Sequence, residues 1–144
     1  DALPILSIRM GTATLIRLAT NRILKIGDKV EILSIGTFLT GLSIVLFSMT
    51  DSFPILVLLS VLWGLGGGLY LPLVFDLIAD ATTEEERGVA MGLRGTMGTT
   101  GSAIGTLIFF YLGGLWSPKS SLTLFGTILL ISIVVLLIVW ELKE

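Results

Sequence analysis

Four ionisable residues stand in or against long apolar runs: Arg9, Asp76, Asp80 and Arg94. A charge inside hydrocarbon costs about 2.5–3.5 kcal/mol on insertion scales, so each of them needs a partner or a task. Arg9 lies about seven residues into the first run. It is either a cation facing a cavity, ready for an anionic group or a carboxylate from elsewhere, or a side chain reaching the nearby interface. Arg94 lies six residues past Gly88, about 9 Å along a helix. A helical hairpin centred near Thr83 brings Asp76 or Asp80 to the same height, which predicts an ion pair with Arg94, structural or coupled to protons. A different chemistry is offered by Trp63, Gly66, Gly67 and Tyr70, which share one helical face at i, i+3, i+4 and i+7. Two flat rings around a small-residue dent suit an organic substrate, although a neighbouring helix filling the dent is the simpler reading.

Other chemistries are closed to this chain. Its 144 residues contain no cysteine and no histidine, which removes thiolate nucleophiles, imidazole proton relays and metal sites built on those ligands. No pair of carboxylates stands at mid-run to supply acid–base catalysis. The expectation is therefore no enzyme, no cofactor and no metal, and nothing in the charge pattern suits nucleic acid.

The elements that must hold these residues are long. Apolar residues make up 53% of the chain and charged ones 14%, against about 25% charged in ordinary soluble domains. Five segments follow, at about 2–19, 31–50, 54–78, 88–115 and 120–140. About 20 helical residues cross a bilayer, and backbone in lipid must bond within its own segment, so these runs are read as helices. They are too long and too little alternating for barrel strands. The expected fold is an all-α integral membrane protein with five transmembrane helices, its first partner the lipid bilayer.

The fourth run carries Gly88, Gly92, Gly95, Gly98, Gly101 and Gly105 among threonines and serines. Small residues of this kind let helices approach closely in lipid, which predicts a tightly packed hairpin around the charged hinge Asp80 to Arg87. The last run, dominated by Leu, Ile and Val, is expected to face lipid. Arg17, Arg22, Lys25, Lys29, Arg87 and Lys143 fall on one side of the arrangement and Lys119 on the other. The excess marks the cytoplasmic side, with Asp1 outside and the C-terminus inside, in what is expected to be the cell membrane. The chain opens on Asp1 with no signal-peptide pattern, which reads as a piece of a longer protein.

Two short stretches give these helices a family resemblance. Glu85-Glu86-Arg87-Gly88-Val89-Ala90-Met91-Gly92 resembles the cytoplasmic turn E-x-R-G-x-A-x-G between helices ten and eleven of major facilitator superfamily transporters. The loop from Asn21 to Lys29 resembles the basic loop motif of that family, G-x-x-x-D-R-x-G-R-K, with Arg22, Gly27 and Lys29 in place and Asn21 where aspartate belongs. Gly92, Gly101 and Gly105 also have the spacing of the superfamily's antiporter motif, with Thr106 in place of its proline. The resemblance covers residues 1–144 as helices eight to twelve of the C-terminal half. It implies a secondary transporter of a small solute by alternating access, completed by a missing N-terminal half. It also implies that Glu85, Arg87, Gly88 and Gly92 form part of a cytoplasmic gate. Helices eight, ten and eleven would border the cavity, and helices nine and twelve would be peripheral. A multi-span protein with an assembly or signalling role on the same scaffold is the alternative.

Overall fold

The computed structural model describes residues 2–23 and 27–142, and of Ala2 and Asn21 the backbone only. Asp1, Lys25 and Lys143, used above to assign sidedness, lie outside the described residues. The helices are α1 (Ala2–Ile23), α2 (Lys29–Met49), α3 (Phe53–Ala81), α4 (Glu84–Leu115) and α5 (Pro118–Glu141).

The helix ends follow from local chemistry. Asp28 caps α2 by accepting from the Val30 amide at 3.4 Å, and Ser117 caps α5 by accepting from the Ser120 amide at 3.1 Å. Pro54 and Pro118 stand in first turns, where a missing N–H costs nothing. The expected hinge from Asp80 to Arg87 is mostly helix. A capping box at Thr83 and Glu86 starts α4 inside the charged run, and only Thr82 and Thr83 separate it from α3. Glu84, Glu85 and Glu86 then fall in the first turn of α4, where the helix dipole favours negative charge. Thr83→Ala should cost about 1 kcal/mol of local stability, read as faster hydrogen exchange at the Glu86 amide with the middle of α4 unchanged.

Packing follows the small residues. α3 lies between α1 and α2, while α2 also packs on α5. Gly64 and Gly68 of α3 face Thr12, Ala13 and Ile16 of α1, and Gly66 faces Gly36 and Thr40 of α2. Gly126 of α5 sits against Gly41 and Val45 of α2, and the Ser48 and Thr123 hydroxyls meet across that interface at 2.7 Å. Ser43, Ser60 and Ser121 are fully buried, whereas the large buried apolar residues are Val30, Leu59, Leu73 and Ile133. The leucines, isoleucines and valines of α5 from Val134 to Val139 are exposed. Small residues inside and large apolar ones outside is the order lipid favours, since lipid tails solvate leucine as well as a core does.

Among the described residues, α2 to α5 are long and apolar enough to cross a membrane. α1, carrying Arg9, Arg17 and Arg22, is held by its packing on α3. The all-α membrane architecture read from the sequence stands. The tight glycine packing expected of α4 does not. That helix buries no residue, and Gly88, Gly92, Gly95, Gly98 and Gly101 have no neighbour where a Cβ would stand. α4 rests on α5 through Phe109 against Phe125, ring centres 5.8 Å apart, and barely touches α3. The glycines permit close approach, but no helix among the described residues supplies it.

Candidate functional site

The splaying of α4 from α3 opens a groove of about 990 Å³, with Tyr70 on one wall and Arg94, Thr99, Ser102 and Thr106 on the other. A second hollow of about 430 Å³ shares Ser102 and Thr106 and continues to Trp63, Phe109 and Phe125. Trp63 and Tyr70, two helical turns apart on α3, thus stand in adjoining hollows of one trough. Thr99, Ser102 and Thr106 recur at three- and four-residue intervals on α4, which puts their hydroxyls on one face. That spacing was legible in the sequence as a polar stripe, but which wall faced it was not.

Arg9 reaches Trp63 from α1, its guanidinium carbon 4.2 Å from the ring centre, and Phe47 meets the same indole edge-on at 6.2 Å. The two residues singled out separately thus form one cation–π contact, worth about 0.5–2 kcal/mol depending on desolvation. The aromatic face expected on α3 divides. Trp63 and Tyr70 line the trough and Gly67 is open, while Gly66 is filled by Gly36. A helix fills one half of the dent, and nothing among the described residues fills the other.

The ion pair expected of Arg94 is made by another residue. Lys29, at the start of α2, bridges Asp76 at 2.7 Å and Asp80 at 2.5 Å. Arg94 lies instead over the Phe75 ring at 4.9 Å. The reason is geometric. α2 is packed along α3, so its first residue meets two aspartates one helical turn apart, whereas α4 diverges from α3 past the turn. The loop motif includes Lys29 but does not foretell its pairing with Asp76 and Asp80. The signal was present, since a lysine opening one helix meets the far end of the next in an antiparallel pair.

The remaining loop and gate residues lie at the same end. Arg87 donates to the Ala79 carbonyl at 3.2 Å, satisfying the C-terminus of α3 from the first turn of α4. Glu85, Gly88 and Gly92 are exposed, as are Arg22 and Gly27, and the Asn21 side chain lies outside the described residues. At the opposite end Lys119 pairs with Asp51 at 2.5 Å. Ion pairs therefore bracket both ends of the apolar layer, and no group of metal-binding side chains occurs among the described residues.

Searches among curated proteins and solved structures give no match. The family model described as Major Facilitator Superfamily matches residues 5–144. The chain belongs to the major facilitator superfamily. As a member of that family of membrane transporters, it carries on α3 and α4 a trough with aromatic, hydroxyl and cationic walls.

Proposed function

We propose that the chain forms helices eight to twelve in the C-terminal half of a secondary transporter that moves a small solute by alternating access. The observation that carries the reading is α4. It is a helix of membrane-spanning length with no buried residue, and it turns a face of glycines, hydroxyls and one arginine toward an open trough. Such a face is poorly matched to lipid and well matched to a water-filled path that a second half-domain completes. In this reading the end holding Lys29, Asp76, Asp80 and Arg87 is cytoplasmic, and the Glu85–Gly92 turn docks against the other half when that side closes.

The test is two-sided accessibility in the full-length protein in oriented vesicles. Single cysteines replacing Glu85 and Leu115, near opposite ends of α4, should label in a reciprocal manner as the transporter changes state. A substrate or locking condition that raises one rate should lower the other. If both rates stay fixed under every solute tried, and no solute accumulates in vesicles, the transporter reading fails.

A further inference from the structure

We propose that the trough between α3 and α4 binds an aromatic organic anion, with Arg94 taking its negative group and Tyr70 and Trp63 seating its ring. The inference rests on the transporter reading above and names its substrate class.

Asp76 and Asp80 are both held by Lys29, and Glu86 closes the capping box with Thr83. Among the described residues no carboxylate lines either hollow of the trough, and the cation on its wall is Arg94. The second cation near the trough, Arg9, lies on the Trp63 ring. On the walls these helices supply, a cationic solute would meet like charge. A neutral solute would displace water from Arg94 without offering a counter-ion, whereas an anion replaces that water with a charge-assisted contact.

The posture of Arg94 points the same way. The guanidinium carbon lies 4.9 Å from the Phe75 ring centre. A cation–π contact uses no carbonyl or carboxylate acceptor, so the guanidinium N–H donors turned away from the ring can take a carboxylate or sulfonate in a two-pronged contact. Ser102 lies eight residues further along α4, about 12 Å away. One or two rings span that distance and reach the Tyr70 wall. The Thr99 hydroxyl donates to the Gly95 carbonyl at 3.0 Å, so toward a ligand it can only accept. The wall near Arg94 therefore leaves the guanidinium as the group able to hold an anion.

The experiment uses the full-length protein, cysteine-free except for Ser102→Cys, and follows maleimide labelling at that position. Three probes of matched size are compared: 4-nitrobenzoate, 4-nitrobenzyl alcohol and 4-nitrobenzylammonium. Nitrobenzoate should protect at concentrations about tenfold lower than the other two, the value of one charge-assisted contact. Arg94→Gln should remove that preference and Arg94→Lys should keep part of it. The probe comparison on the unsubstituted arginine stands even if Arg94→Gln fails to fold. Equal protection by the ammonium, no protection by any probe, or a preference unchanged in Arg94→Gln overturns the proposal. So does a Ser102→Cys thiol that a membrane-permeant maleimide cannot reach, because a helix then covers the trough. Reciprocal accessibility of the α4 ends with uptake of the ammonium would leave the transporter reading intact and the anion inference refuted. Nitrobenzoate protection without reciprocal accessibility would do the reverse.

Discussion

Gly66→Ala should destabilise the helix bundle by about 1–3 kcal/mol, the range for forcing extra atoms into a packed interior, while Gly67→Ala should be close to neutral. The residues are neighbours in sequence, of the same type and in the same helix. A Cβ on Gly66 would run into the Gly36 carbonyl and the Thr40 hydroxyl, whereas one on Gly67 meets nothing within 4 Å. The Gly36 carbonyl is backbone and cannot swing aside, so relief requires α2 and α3 to part. The reciprocal change at Gly36 is gentler, because its Cβ would stand 3.3 Å from the Gly66 carbonyl. Thermal unfolding in detergent should therefore rank the alanine variants Gly66 below Gly36 and Gly36 below Gly67. Equal midpoints for Gly66→Ala and Gly67→Ala would show that α2 and α3 do not cross at this point.

The same glycines mark the limit of what can be read from sequence. Glycines recur on α3 and α4 at helical spacing, and both helices looked like packing surfaces. On α3 the spaces at Gly64, Gly66 and Gly68 are filled by α1 and α2, whereas on α4 five consecutive glycines from Gly88 to Gly101 face open space. Periodicity states which approach the backbone allows, and the neighbour that uses it is a fact of tertiary structure. The helices themselves were legible, because runs near 20 apolar residues bounded by Pro54, Asp51 and Pro118 leave the backbone one solution in lipid. Their ends were less so. The density of charge from Asp80 to Arg87 suggests a loop, yet Thr83 and Glu86 spell a capping box within it. For the site, the residue types were legible at Arg9, Trp63 and Tyr70. The contact of Arg9 with Trp63, and the hydroxyls of α4 opposite Tyr70, depend on how far two helices diverge.

Exchanging charge between Lys29 and Asp76 should rescue folding and transport, and exchanging charge between Arg94 and Asp76 should not. Lys29→Glu alone brings three carboxylates together, because Asp76 and Asp80 both face that position. Like charges at such separations repel, and the pairing that joins α2 to the end of α3 is lost. The yield of folded protein should fall several-fold. Asp76→Lys alone is milder, since Asp80 remains between two cations as a shared counter-ion. Lys29→Glu combined with Asp76→Lys restores an alternating set, one cation on α3 between Asp80 and the anion now opening α2, and should recover most of the yield. Arg94 stands over Phe75 and outside this cluster, so Arg94→Asp cannot supply the balance that Asp76→Lys disturbs. That double variant should be no better than its worse parent. The outcome distinguishes two arrangements of one hairpin: α3 joined to α4 through Arg94, or α3 joined to α2 through Lys29 with Arg94 left facing the trough. Recovery by the Arg94–Asp76 exchange, with none by the Lys29–Asp76 exchange, would close the trough and reverse the assignment of the charges around it.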